Sequence, residues 1–95
     1  MEIKHIEKGG RGAFLIRDED GSRLAEMTYT TAGEQAIIID HTEVNENLRG
    51  QKIGDKLLAE AVKYARENGL KVHATCPFTL RKLQGSDEYA DVFGG

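Results

Sequence analysis

Between positions 49 and 54 the chain reads Arg-Gly-Gln-Lys-Ile-Gly, with a second lysine at Lys56. An arginine, two glycines and two lysines at the start of a helical pattern supply a tight turn, several backbone N–H groups and fixed positive charge. A turn at Gly50, N–H groups from Gln51 to Gly54 and a helix dipole behind them suit an anion such as a pyrophosphate. The phosphate loop that ends in Lys-Ser/Thr is absent, and only Gly50 and Gly54 match a glycine fingerprint for dinucleotides. The plainer alternative is a structural helix start.

Two further side chains could do chemistry. Cys76 is the single cysteine and directly precedes Pro77. Proline favours the first helical position, so Cys76 is the expected N-cap, where a helix N-terminus lowers a thiol pKa. Its alternative role is a small buried hydrophobe. His41 lies in an apolar strand pattern, on a face shared with Ile37, Ile39 and Glu43, and its alternative is a hydrogen-bonded core histidine. His73 and Cys76 are three apart and diverge on a strand, so no zinc site is expected. His5 and His73 read as surface residues, and Tyr89 as packing back on the sheet.

These residues need elements to hold them. Met1 to Glu7 reads as a short strand closed by Gly9-Gly10-Arg11-Gly12. Ala13 to Arg17 and Ser22 to Thr30 form a hairpin around Asp18-Glu19-Asp20-Gly21. After a turn at Thr31 to Glu34, Gln35 to Val44 carries three consecutive isoleucines, as in a strand covered on both faces. From Gln51 to Asn68 the period changes: Ile53, Leu57, Leu58, Ala61, Val62 and Ala65 form one helical stripe, with Asp55 and Lys56 on the wet face. Asn68-Gly69 caps that helix, Leu70 to Cys76 reads as a strand, and Pro77 opens a short helix through Leu83. Gly94-Gly95 reads as a frayed end. The strand-helix-strand unit should cross over right-handed with parallel strands, so the carboxyl ends at Val44 and Cys76 point the same way. Ligands gather outside such ends, beside the connecting helix.

Composition bounds the function. With 95 residues the chain has room for one domain, spanning 1–95. A net charge of −3 and a pI near 5.6 argue against a nucleic-acid or membrane-surface partner. The longest aliphatic run is Ala36 to Ile39, and Met1 to Lys8 lacks the apolar stretch of a signal peptide. A lone cysteine fits a reducing compartment, so a cytoplasmic location is expected, and the chain is expected to be a monomer.

The run Val44 to Leu58, with Arg49-Gly50-Gln51-Lys52-Ile53-Gly54, resembles the acetyl-CoA motif Gln/Arg-x-x-Gly-x-Gly/Ala of the GCN5-related N-acetyltransferases. The segments DHTEV, LRGQKIGDKLL, YARENGLKVHATCPF and YADV together resemble the minimal branch of that superfamily, across nearly the whole chain. The resemblance implies an α+β or α/β fold of that family: an antiparallel β-meander, then a β-α-β unit with splayed parallel strands and a short C-terminal helix. It also implies an N-acetyltransferase that takes acetyl-CoA as donor and an amine as acceptor, without a metal. Val44 would offer backbone groups to the pantetheine arm. Arg49, Gly50, Gln51, Lys52, Ile53 and Gly54 would hold the pyrophosphate. Lys52 departs from the motif, because its first glycine is expected there; the lysine would crowd the pyrophosphate or pair with it. Cys76 and His41 match positions suspected of catalysis, and Arg81 and Lys82 could meet the 3′-phosphate of coenzyme A or be solvated helix-end cations.

Typical members carry two helices after the first strand and a strand pair at the end, and this chain has room for neither. The acceptor side should be open, leaving a peptide, a protein lysine or N-terminus, or a small amine. Two other classes compete: an acyl-CoA-binding module without turnover, and a redox or interaction domain with Cys76 as its handle.

Overall fold

The computed structural model describes residues 2–94. Four antiparallel strands follow in order: β1 (Lys4–Lys8), β2 (Arg11–Arg17), β3 (Arg23–Ala32) and β4 (Ala36–Val44). Helix α1 (Ile53–Glu67) then crosses to β5 (Lys71–Ala74), which pairs with β4 in parallel. Helix α2 (Pro77–Gln84) and a 3-10 turn (Asp87–Tyr89) complete the elements. The five strands lie side by side in chain order. This is the fold of a meander joined to a β-α-β unit.

Cross-strand partners share a sheet face, so Phe14 with Met27, Gly12 with Tyr29 and Ile16 with Ala25 mark the face under α1. The helix presents Ile53, Leu57, Leu58, Ala61, Val62 and Ala65 to it, all buried with Ile37, Ile39 and Val72. Each large side chain so buried stabilises the fold by about 1.5–3 kcal/mol. Asn68 and Gly69 end the helix as expected, the Leu70 N–H returning to the Ala65 carbonyl at 2.8 Å.

Several expectations change. β4 is not covered on both faces: Ile37 and Ile39 are buried under α1, while Ile38 on the other face is half-buried, because no helix among the described residues covers that side. The last strand stops at Ala74 rather than Cys76. His5 is more than a surface residue, since its ring stacks on Phe14 at 4.3 Å and its Nε2 lies 2.6 Å from the Tyr29 hydroxyl.

The segment after α2 straps the β5 edge. Val92 is buried, Val72 donates to the Val92 carbonyl at 2.7 Å, and Gly94 donates to the Val72 carbonyl at 2.9 Å. Gly94 is therefore tied down rather than frayed, while Gly95 lies outside the described residues. Arg66 clamps the strap through two hydrogen bonds of 2.9 Å to the Asp91 carboxylate. Those bonds hold the Asp91 carboxyl below the usual carboxylate range. A depressed folded-state pKa stabilises fully above the unfolded value of about 4, and the contribution is lost as pH falls through the folded value. Asp91→Asn should therefore lower the melting temperature at about pH 6, with the difference from the parent vanishing at strongly acidic pH. An unchanged difference across that range would mean that the clamp is not ionic.

Candidate functional site

β4 and β5 part early. Their last paired residues are Ile39 and Ala74, after which the N–H groups of Thr75 and Cys76 converge on the Ile39 carbonyl at 3.0 and 3.3 Å. Beyond that point the chain turns into α2, opened by Pro77 at its first positions. β4 continues to Val44, paired only with β3, and a wedge opens between the two strands.

A bulge decides which side chains face the wedge. Tyr29 pairs with Ile39 but Thr28 pairs with His41, leaving Asp40 as an extra residue on β4. Thr28 and Thr30 hydroxyls hold the Asp40 carboxylate on the outer face. After the bulge Thr42 pairs with Met27, and Val44 with Ala25, so both face α1. His41 and Glu43 are turned outward, with His41 Nε2 3.3 Å from Glu43 Oε2. The expected face of His41 is thus corrected: it shares its side with Glu43 but not with Ile37 and Ile39, because the bulge inverts the parity.

At the mouth of the wedge Asn45 caps a 3-10 turn (Glu46–Leu48), and Arg49 is extended. Gly50 then takes φ +87°, a left-handed conformation that glycine adopts without a side-chain clash. Lys52 is left-handed too, at φ 57°, and its carbonyl accepts from Lys56 N–H at 3.1 Å as the N-cap of α1. It is the single non-glycine residue with positive φ among the described residues. No side chain caps α1, and the N–H groups of Lys52, Ile53, Gly54 and Asp55 have no protein acceptor among the described residues. These four residues line a cavity of about 310 Å³, walled by Thr42, Val44, Leu48 and Phe78 and reached by Arg49 and Gly50. Unpartnered N–H groups at the positive end of a 15-residue helix are suited to receive an anion. Gln51, expected to lend its N–H, gives it to the Leu48 carbonyl at 3.3 Å.

Cys76 is the N-cap of α2 and nearly buried. Burial alone pushes its thiol pKa up. The N–H groups of Thr79 and Phe78 and the hydroxyls of Thr42 and Thr79 outweigh that, and the net shift is downward. Its Sγ lies 3.5 Å from Thr42 Oγ1, which stands 3.4 Å from Thr79 Oγ1. Thr42 also lines the cavity, so Cys76 sits one side chain behind its wall. The structure does not bring Cys76 and His41 together on one face of the sheet.

Arg81 and Lys82 line a neighbouring cavity that shares Lys52 and Asp55 with the first. Asp55 is not simply a wet-face residue, since its Oδ1 lies 2.9 Å from Lys82 Nζ. Sequence reasoning missed Thr42, Leu48, Asp55, Phe78 and Thr79 as parts of the site. Val44 held the one sign of the bulge, being apolar at the parity opposite to Ile37 and Ile39.

Residues 13–92 match the family described as GCN5-related N-acetyl-transferase. Protein NATD1 of Danio rerio is 33% identical over 76 residues, which are 80% of this chain and 67% of that protein. The NMR solution structure of a GCN5-like protein from Staphylococcus aureus is 42% identical, with a TM-score of 0.77 over 99% of this chain and 88% of that one. Tetrahymena GCN5 is similar in fold alone, with a TM-score of 0.66 at 7% identity over 82% of this chain and 51% of its own.

Proposed function

Because this chain belongs to the GCN5-related N-acetyltransferase family, whose chemistry is acyl transfer, we propose that it moves an acetyl group from acetyl-CoA to an amine. The observation that carries the reading is the row of unpartnered N–H groups from Lys52 to Asp55 at the mouth of the wedge between β4 and β5. The donor's pyrophosphate binds there, beside Arg49 and Gly50. Its pantetheine arm runs inward along Val44, and the thioester stands near the Thr42 end of the wedge.

Transfer needs a neutral amine, a place for its proton and a leaving thiolate. The nitrogen attacks the thioester carbonyl, the carbon–sulfur bond breaks, and coenzyme A departs. Cys76, with its thiol pKa lowered by Thr42, Thr79 and the helix N–H groups, returns a proton to the departing sulfur through Thr42. His41, paired with Glu43 on the open outer face, accepts the proton of the incoming amine. Direct transfer is favoured over an acetylated cysteine because Cys76 is only 8% exposed and stands behind Thr42.

The test is release of coenzyme A in the presence of a panel of amines: a polyamine, a lysine peptide and a free peptide N-terminus. Acceptor-dependent release is expected. Cys76→Ala should lower kcat by roughly 100-fold, at the low end of acid–base effects, with little change in KM for acetyl-CoA. Intact-mass measurement without acceptor should show no acetyl group on the protein. Binding of acetyl-CoA with no acceptor-dependent release from any amine would leave a binding module and overturn the transferase reading.

A further inference from the structure

We propose that β1 is a docking edge for an extended, acidic segment of another protein, which adds a sixth strand to the sheet and lays one apolar side chain beside Ile6. Docking there does not depend on the acetyl-CoA reading.

The two edges of the sheet are finished differently. β5 lies at one edge and is covered by the strap, through the bonds between Val72, Val92 and Gly94. β1 lies at the other, pairs with β2 along its five residues, and is exposed at every one of them. An uncovered edge strand leaves alternate backbone N–H and C=O groups free to pair with another strand. This one is also held from within: Glu7 Oε2 accepts from the Tyr29 hydroxyl at 2.9 Å and from the Tyr64 hydroxyl at 3.2 Å, which ties β1 to β3 and α1. A template fixed before binding spares the ordering cost of a mobile one.

The side chains define what the edge accepts. Lys4, Ile6 and Lys8 pair with Leu15, Ala13 and Arg11, so they share the outer face, opposite α1. Ile6 is 52% exposed, the one large hydrophobic residue so exposed among the described residues. With Ala13 it borders a cavity of about 440 Å³ that Lys8 and Arg11 also line. Lys8 stands directly opposite Arg11, a like-charged cross-strand pair that an added carboxylate relieves. Arg11 reaches Asp40 only at 3.8 Å, and Lys4 and Lys8 have no carboxylate partner among the described residues.

Two cations flanking an apolar side chain at period two call for a strand of the form acidic-x-apolar-x-acidic. A second copy of this chain does not supply it, because antiparallel pairing of two β1 strands about Ile6 sets Lys4 of each copy against Lys8 of the other. Three strand spacings, about 14 Å, separate β1 from β4, so the docked segment leaves the wedge free.

The test is amide NMR of the labelled full chain titrated with the capped peptide Ser-Glu-Thr-Val-Thr-Glu-Ser and with its counterpart carrying lysine for both glutamates. The acidic peptide should give saturable shifts along β1 and from Arg11 to Ala13, with half-saturation at about a millimolar or below, and the basic one should bind at least about tenfold more weakly. In the double variant Lys4→Glu, Lys8→Glu that order should invert; both positions are exposed, so the fold is kept. Ser-Glu-Pro-Pro-Pro-Glu-Ser keeps the charge without the ladder N–H groups and should not bind. No saturable shift on β1 at millimolar acidic peptide, or equal binding of the acidic peptide and either comparator, would overturn the proposal. So would β1 shifts that depend on protein concentration with no peptide present, which would give the edge to a second copy.

Discussion

Gly54→Glu is expected to weaken acetyl-CoA binding by about 100-fold or more, close to 3 kcal/mol, while the protein stays folded. Gly54 sits in the first turn of α1, where a Cβ would stand 2.8 Å from Phe78 Cζ and 3.0 Å from Cε2. A side chain there displaces Phe78, a wall of the cavity, and sets a carboxylate among the N–H groups proposed to hold the pyrophosphate. Folding tolerates the change, because glutamate is a better helix former than glycine and the Phe78 ring is only half-buried. Gly54→Gln separates the two causes: it keeps the crowding without the charge and should lose clearly less affinity. Parent-like affinity in a folded Gly54→Glu protein would contradict the placement of the pyrophosphate.

The second large effect is on stability. In Gly12→Ala a Cβ would stand 2.3 Å from Tyr29 Cζ and 2.4 Å from its oxygen, a distance no packing tolerates. The Tyr29 ring is fully buried across β2, and its hydroxyl donates to Glu7 Oε2 at 2.9 Å. That bond uses the only hydroxyl proton, so the oxygen accepts from His5 Nε2–H at 2.6 Å, which assigns the tautomer of His5. Tyr64 on α1 reaches the same Glu7 oxygen at 3.2 Å. Moving Tyr29 thus loosens the edge strand β1 from both the sheet and the helix. Burial, together with Glu7, pushes the Tyr29 hydroxyl pKa far up, so the ring does not ionise as an escape. Gly12→Ala should cost about 3 kcal/mol and lower the melting temperature by about 10 °C or more. A shift below about 3 °C would mean that the ring does not lie over Gly12.

Much of this was legible in the residues. The stripe from Ile53 to Ala65 has one helical period and nothing competing with it, so the helix and its buried face follow directly. Pro77 marks the start of α2 because it needs no N–H partner, and Cys76 becomes the N-cap for the same reason. The left-handed turn is carried by Gly50, but Lys52 takes the same conformation without any local sign beyond its departure from the family motif.

What stayed hidden depends on single residues whose effects reach across the sheet. The bulge at Asp40 adds one position to β4 and reverses every side chain after it, so a period of two counted from Ile37 and Ile39 sends His41 inward when it points outward. Thr42 and Thr79 meet only because of that reversal, and neither has a distinctive neighbour in sequence. The contact of Gly54 with Phe78 joins the first turns of two helices that are 24 residues apart, and tertiary packing alone brings them together. The end of pairing at Ala74 was equally silent. Thr75 and Cys76 suit a strand, but both N–H groups are drawn to the Ile39 carbonyl.

The claim on which the rest depends is that acetyl-CoA lies in the wedge, with its pyrophosphate on the turn before α1. The most direct measurement is amide NMR of the labelled protein titrated with acetyl-CoA, with ATP as comparator. Saturable shifts are expected at Val44, at Gly50 and from Lys52 to Asp55, extending to Cys76, with ATP producing smaller and weaker changes. No saturable shift at millimolar acetyl-CoA, or shifts confined to residues away from the wedge, would contradict the account.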